Sequence, residues 1–487
     1  MVKMDKKRKT IAKVSSWLGL GIIFLVTPLL QAQNRDKGNL KDASLPTAWA
    51  KMTVQVMAQA QNNTPTYGSR ALGYIGLTMY ETLVPASSTH RSIAKSLCDT
   101  LSLAKPNKNY SWELAMNAGQ AHIVKAFYGY AQKTSGIDSL ENAIYQQYSS
   151  HVSPAVAAAS VAYGRALANR IYEWAKLDGG HEGHLRNFPK DYKRPEGQGK
   201  WVPPTVGQSN SKIPMHPTWG QNRTFSSKNA QLPLPEPLVY STDTTSEYYK
   251  QYTEVAEQKR KLTEEDRAIV MWWGDDPTET CSPPGHSYHL ATIAILNSNA
   301  DAIKAAETYA RVGMAVADAF ICCWKAKFAH MVQRPSSFIR QTHRKKERYP
   351  GEMINWLPFF LEPPFPAFYS GHAVQSAATA TVLTEMYGDN FSFIDATHAG
   401  RSPKRYYVVK PLPAKYEELL AMGDYIPEYL EKEVKFQPRH YGSFWEAAKE
   451  CAESRLKGGI HTRHDNDVGL AEGTKIGQNI NALRWRK

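Results

Sequence analysis

Three short constellations in this 487-residue chain carry residue types suited to holding an anion and moving a proton. The first is Lys327, six residues, then Arg334-Pro335. A helix that delivers Lys327 near its end, stopped by Pro335, sets two cations at one terminus. A solvated basic helix end would read the same way. The second is Ser370-Gly371-His372, which leads into a run of small residues from Ala373 to Met386. Free backbone N–H groups at a helix start favour an anion, and Gly371 admits it closely. Ser370 supplies a hydroxyl and the N-cap, and His372 falls in the first turn. The third is Ser454-Arg455, five residues, His461 and then Asp465. His461 and Asp465 stand at i and i+4, so on a helix they share a face, and Asp465 can fix the imidazole tautomer. Gly458-Gly459 permit a tight turn that brings Arg455 back beside His461.

Each block alone has a bland alternative: a basic helix end, a capped helix, a salt-bridged surface helix. Their joint occurrence in this order by chance is on the order of one in 10⁵. Together they give three cations (Lys327, Arg334, Arg455), donors at Ser370 and Gly371, and two histidines. That set describes a pocket for a multiply charged tetrahedral oxyanion. A histidine held by a carboxylate, His461, can attack or coordinate the central atom, while His372 moves a proton.

The elements that must position these groups read as all-α. Helical periodicity is seen over Trp49–Gln61, Ser69–Leu83, Val152–Leu177 and Ser246–Lys261. Thr263 and the acidic residues 264–266 open a further helix. Others span about Asp301–Phe328, Gly371 to near Gly388, Ser443–Lys457 and His464–Leu483. Residues 178–240 are rich in Gly, Pro and aromatics, which predicts a long irregular segment draped over the core. Residues 389–440 read as a second irregular insertion.

Composition bounds the remainder. Aromatic residues at 11% exclude a disordered chain, and five cysteines exclude a disulfide-stapled scaffold. A basic start, an apolar run from Trp17 to Leu30 and a polar stretch near Ala32 predict a signal peptide over 1–32. The expected domains are then an N-terminal helical region with its draping segment (33–240) and a C-terminal catalytic helical domain (241–487). The expected location is exported, periplasmic or extracellular, with no membrane association after cleavage. Of the formal net charge of +14, the segment 1–32 holds six basic residues and one Asp, or +5, which leaves +9. Export makes a disulfide possible, although the adjacent Cys322 and Cys323 are too close to pair with each other. Basic charge is the only feature favouring nucleic acid, and no recognition module accompanies it.

Lys-x6-Arg-Pro, Ser-Gly-His and Ser-Arg-x5-His-x3-Asp resemble the three signature motifs of the superfamily that unites type 2 phosphatidic acid phosphatases with vanadium-dependent haloperoxidases. The resemblance implies an α-helical bundle core. It also implies that Lys327, Arg334, Ser370, Gly371 and Arg455 bind phosphate or vanadate oxygens. In phosphatases His461 would be the nucleophile and His372 the general acid. In haloperoxidases His461 would be the metal ligand to vanadium and His372 would shuttle protons for peroxide activation. Tyr369 departs from the pattern, since many members have Pro before Ser-Gly-His.

The haloperoxidase branch is favoured by Trp324, three residues before Lys327, and by Phe365, seven before His372. Both resemble pocket aromatics of that branch. Trp273-Gly274-Asp275-Asp276-Pro277 and Ser282-Pro283-Pro284-Gly285-His286 are similar to haloperoxidase-related soluble bacterial proteins. So are Gly199-Lys200-Trp201, Pro203-Pro204, Trp219-Gly220 and Asp395-Ala396-Thr397-His398. By that analogy Asp275 pairs with a site arginine, most plausibly Arg455. The expected activity is oxidation of halide by hydrogen peroxide at vanadate. The alternatives are a soluble phosphatase acting on phosphomonoesters through a phosphohistidine, and a catalytically silent oxyanion-binding protein. His286-x-x-His289 and His461-x-x-His464 could each approach a zinc ion, but neither has a matching ligand set nearby. His181 and His184 read as solvated loop histidines.

Overall fold

A computed structural model describes residue 40 and residues 42–487, other than 133, 278, 344–354 and 410–428. The signal segment expected over 1–32 lies outside the described residues. Helices dominate: α1 Ser44–Gln59, α2 Pro65–Leu83, α3 Trp112–Tyr128, α4 Ser135–Ser149, α5 Pro154–Ala175, α6 Ser227–Ala230 and α7 Glu247–Lys261. They continue as α8 Glu264–Trp272, α9 Ser282–Asn297, α10 Ala302–His330, α11 Pro335–Thr342, α12 Gly371–Tyr387, α13 Phe444–Lys457 and α14 Arg463–Asn481. Several starts are chemically explicit. Thr64 accepts from the Tyr67 N–H with Pro65 at the first helical position, and Asp301 caps α10 by accepting from Lys304. Thr263 and Asp266 form the capping box of α8.

Five helices, α3, α4, α6, α9 and α11, were not singled out by periodicity. Both α3 and α9 are buried on almost every side, so they lack the polar face that marks an amphipathic helix. α9 also opens on Ser-Pro-Pro-Gly, which reads as a turn. Residues 389–440 are not wholly irregular. β1 Phe393–Asp395 pairs antiparallel with β4 Arg439–Tyr441, and β2 Lys404–Val409 pairs antiparallel with β3 Tyr429–Val434. Three-residue strands are too short to show alternation, and β2 and β3 form a largely exposed ribbon. The architecture remains all-α.

The centre of the fold is α10, which lies along α2 and also meets α9 and α12, while α12 packs on α13 and α14. Glycine permits these close approaches. A Cβ on Gly313 would stand 2.4 Å from the Leu72 carbonyl oxygen, and one on Gly473 would stand 2.2 Å from that of Val374. The first contact brings α10 onto α2, and the second brings α14 onto α12. Residues Gly38–Lys487 fall in one compact unit, in which helices from the 33–240 and 241–487 regions interleave.

The 178–240 segment drapes as expected, with Trp201, Met215, Trp219 and Phe225 buried. Its backbone is pinned where the site is made. The Trp201 N–H donates to the Met331 carbonyl at 2.7 Å, and that of Met215 to Pro364 at 2.8 Å. His184 is buried and stacked on Tyr130, not solvated. Cys98, Cys281, Cys322, Cys323 and Cys451 are all free thiols. Among the described residues no helix is long and apolar enough to cross a membrane.

Candidate functional site

Lys327 sits in the last turn of α10, and Arg334 is the N-cap residue of α11 with Pro335 at the first position. The strap and the 364–370 segment close over this junction. Lys327, Arg334 and Arg455 are all almost completely buried. Each spends its protons on neutral acceptors. Lys327 Nζ donates to the carbonyls of Pro366 (3.0 Å), Ala367 (2.7 Å) and Tyr369 (2.6 Å). Arg334 Nε donates to the Phe365 carbonyl at 3.0 Å, and Nη1 to that of Ile460 at 2.8 Å. Arg455 donates to the Ser454 hydroxyl and to the Val270 carbonyl. Burial disfavours the charged forms: it lowers Lys327 to about 7 and Arg334 to about 10, and it also lowers Arg455.

The two histidines complete the pocket as neutral bases. Arg334 Nη1 lies 3.1 Å from His461 Nε2, and Arg455 Nη1 lies 3.4 Å from His372 Nε2. A guanidinium can only donate, so both Nε2 atoms present lone pairs. His461 Nδ1 then carries the proton and donates to Asp465 Oδ2 at 2.9 Å. Burial first, then the neighbouring cations, hold both imidazoles well below the ordinary histidine range. Burial raises the Asp465 carboxyl, with the cations opposing it.

The local reason for the His461–Asp465 contact differs from the expectation. His461 precedes α14, so the pair does not share a helix face. Thr462 is the N-cap, and Asp465 completes a capping box at the third position, reaching back to the Thr462 N–H as well as to His461. The Gly458-Gly459 turn does return the chain: the Ile460 N–H donates to the Arg455 carbonyl, and Gly459 adopts φ +79°. Ser370 caps α12 by accepting from the Ala373 N–H, and His372 follows in the first turn. The Ser370 backbone N–H is committed to the Asp465 carbonyl, and its hydroxyl, which accepts from Ala373, donates to no acceptor among the described residues. This bond ties the start of α12 to the start of α14.

Trp324 and Phe365 both border the cations. Their rings lie 4.8 Å apart, with Lys327 Nζ 5.3 Å from the Phe365 centroid and 5.9 Å from that of Trp324. The Arg334 guanidinium lies over Phe365 at 5.1 Å. A Cβ on Gly371 would meet only the Phe320 and Trp324 rings, at 3.9 Å.

Asp275 is not hydrogen-bonded to Arg455. Its carboxylate joins His286 Nδ1 at 2.8 Å and His398 Nε2 at 2.7 Å. Both acceptor oxygens are thereby taken, and Arg455 feels Asp275 only through space. Neither His-x-x-His pair, both set aside as zinc sites from the sequence, forms a three-ligand cluster among the described residues. Asp275, His286 and His398 do form such a cluster. His286 and the 395–398 segment were visible only as fragments of a resemblance, since no local spacing links residues so far apart in sequence.

Chemically the site offers three cations against one carboxylate, a donor hydroxyl, and two neutral imidazoles. That balance suits a tetrahedral dianion with a nitrogen donor beneath it and a second base beside it.

Comparison with known proteins bears on which dianion this is. The family model described as the VCPO second helical-bundle domain matches residues 307–484, which include Lys327, Arg334, Ser370, His372, Arg455, His461 and Asp465. The chain is 27% identical over 220 residues to the vanadium chloroperoxidase of Curvularia inaequalis, covering 40% of this chain and 35% of that protein. The match thus spans about a third of the curated relative's length. The crystal structure of the first bacterial vanadium-dependent iodoperoxidase superposes with a TM-score of 0.73 at 27% identity, covering 91% of this chain and 97% of that one. An apo-type bacterial vanadium-dependent chloroperoxidase shares the fold at a TM-score of 0.61 and 15% identity, covering 87% and 94% of the two chains.

Proposed function

We propose that this chain, which belongs to the superfamily uniting vanadium-dependent haloperoxidases with type 2 phosphatidic acid phosphatases, binds vanadate and oxidises halide with hydrogen peroxide. The observation that carries the reading is Arg334 Nη2, a buried donor with no partner among the described residues, beside a His461 Nε2 lone pair. A buried guanidinium nitrogen left without an acceptor costs about 1–3 kcal/mol. An oxyanion bound at His461 would satisfy it.

His461 would hold the central atom, with Asp465 keeping Nδ1 protonated and Nε2 bare. Arg334, Arg455, the Ser370 hydroxyl and the amide of Gly371 would hold the oxygens, and Lys327 would join them by exchanging one of its three carbonyl bonds for an oxyanion oxygen. Vanadate, when bound, supplies Lewis-acid activation of peroxide toward halide. The chain's own groups do the remaining work. His372 Nε2 accepts a proton from incoming peroxide and returns it to the departing oxygen. Lys327 would place positive charge beside the bound oxyanion. Trp324 and Phe365 form an apolar wall that keeps bulk water from that oxygen. Iodide and bromide are the halides proposed, by likeness to the iodoperoxidase. Export, as expected from residues 1–32, is part of the same proposal.

The neutral His461, its carboxylate partner and His372 would equally serve a phosphohistidine mechanism. Purified protein reconstituted with vanadate is expected to oxidise iodide or bromide in a peroxide-dependent manner, and vanadate-free protein to leave phosphomonoesters largely intact. Full vanadate occupancy without halide oxidation would overturn the proposal. Phosphomonoester hydrolysis in its place would select the phosphatase reading, and oxyanion binding with neither activity would select the silent binder.

A further inference from the structure

Behind the oxyanion pocket lies a second buried cluster that the reaction does not use directly. His286, on α9, is clamped between two carboxylates: Nδ1 lies 2.8 Å from Asp275 Oδ2, and Nε2 lies 2.8 Å from Asp395 Oδ2 on β1. A carboxylate only accepts, so both ring nitrogens carry protons and His286 is an imidazolium. Asp275 passes its second oxygen to His398 Nε2 at 2.7 Å. Asp395 also receives the Trp272 indole N–H at 3.1 Å and, through its other oxygen, the Thr397 amide and hydroxyl. Asp275, Asp395, His286 and His398 are all almost completely buried. The two carboxylates raise His286 to about 10, and His289, one turn along α9, is lowered to about 4 by burial and by the charge on His286.

The same residues could be read as a metal site, and the distances decide against it. A tetrahedral zinc site with ligand bonds near 2.05 Å separates its donor atoms by about 3.3 Å. Separations of 2.7–2.8 Å are those of direct charge-assisted hydrogen bonds.

The cluster reaches the pocket through one residue. The Trp273 indole stacks on the His286 ring, with centroids 4.6 Å apart and planes at 15°. Its Nε1 donates to Glu450 Oε1 at 2.9 Å, so the indole is held at a face and at an edge. The Trp273 backbone in turn faces the His372 imidazole and favours its protonated form. Arg455 thus bounds His372 at Nε2, and the Trp273 backbone bounds the ring from another side. The charges facing His372 are Arg455 and His286, which disfavour its protonation, and Asp275, which favours it.

We propose that Asp275, His286 and Asp395 are positioning residues for His372: the clamped His286 ring carries the Trp273 indole and thereby fixes the carbonyl that sets the orientation and tautomer of His372. The inference rests on the proposed function only in giving His372 the proton-transfer role; its structural link is testable without turnover.

The test combines ¹⁵N NMR of histidine-labelled protein with molybdate binding and halide-oxidation kinetics. In the wild type His286 is expected to show two protonated nitrogens past pH 9, and His372 one protonated nitrogen that is hydrogen-bonded. His286→Gln is expected to shift the His372 resonances and to lower kcat about tenfold or more, with molybdate affinity changed less than about twofold, because no oxyanion donor is touched. Asp395→Asn keeps an acceptor for His286 Nε2–H but sets an amide NH2 against the Thr397 N–H, so it is expected to fall between wild type and Asp395→Ala, which should behave as His286→Gln does. A singly protonated wild-type His286 at neutral pH would overturn the inference. So would stoichiometric zinc that is lost in His286→Gln, or a folded His286→Gln whose His372 resonances do not move. If the NMR link holds but the protein oxidises no halide, the functional reading fails and the positioning link stands.

Discussion

Raising the pH across the oxyanion-free protein should discharge one site cation well before the others. Burial places Lys327 at about 7 and Arg334 at about 10, while His461 and His372 are neutral throughout the neutral range. A dianion in the pocket favours the ammonium form of Lys327, so the lysine pKa is higher in the complex than in the free protein. Affinity is therefore fully present below about 7 and is lost as the pH rises through that value. The loss is about tenfold per pH unit, or about 1.4 kcal/mol. Between about pH 7 and pH 9 it amounts to about 100-fold, and it ends where the occupied site itself deprotonates.

The probe should be molybdate, a tetrahedral dianion over this whole range, so that the ligand's own titration does not enter. Calorimetry in buffers of different ionisation enthalpy then counts the protons taken up. About one is expected near pH 8 and none near pH 5.5. In Lys327→Met, which keeps the unbranched shape, proton uptake should vanish. Affinity near pH 6 should fall about 10–100-fold, the worth of one hydrogen bond from a charged donor. A melting curve monitors the carbonyls of Pro366, Ala367 and Tyr369 that lose their donor. Proton uptake retained in Lys327→Met, or a wild-type affinity that is flat from pH 7 to 9, would refute the assignment of this titration to Lys327.

Four further outcomes follow from the geometry. His461→Ala should abolish vanadate retention and halide oxidation while far-UV circular dichroism stays native; retention of either would remove His461 from its role. Asp465→Ala leaves His461 Nδ1–H without its acceptor and should weaken oxyanion binding about 10–100-fold by equilibrium dialysis. Gly473→Val sets a side chain against the Val374 carbonyl, where even a Cβ stands 2.2 Å away, and should cost about 3 kcal/mol in urea unfolding. Gly129→Ala, with nothing within 4 Å, should change stability by less than about 1 kcal/mol.

The legible part of the site was the part carried by short motifs. Lys327 and Arg334 flank a helix end and a proline, Ser370 to His372 open a helix, and Arg455 to Asp465 surround a double glycine. Each signature lies within a dozen residues, and each is made where a helix begins or ends. The all-α class was legible for the same reason, since α10 and α12 announce themselves by period and cap. What escaped was buried or distributed. α3 and α9 lack a polar face, and the antiparallel pairs of β1–β4 join segments more than 40 residues apart. The Thr462–Asp465 capping box was readable by the rule that found Thr263–Asp266, but the i, i+4 spacing of His461 and Asp465 suggested a shared helix face instead.

Asp275 marks where motif transfer stops. Asp275 was picked out by resemblance, and the same resemblance implied its pairing with a site arginine. In the fold, α9 and the β1 segment bring His286, Asp395 and His398 to the same place, and the carboxylate satisfies two imidazoles at 2.7 and 2.8 Å. Its left-handed backbone, φ +46°, is one that aspartate tolerates better than most residues, and it turns the side chain into that cluster. Arg455 is left to the Ser454 hydroxyl, the Val270 carbonyl and His372, with its charge uncancelled by direct contact. An arginine paired with a carboxylate would present a nearly neutral unit to an incoming anion. Unpaired, Arg455 keeps its charge facing the pocket and, through His372 Nε2, disfavours protonation of that imidazole.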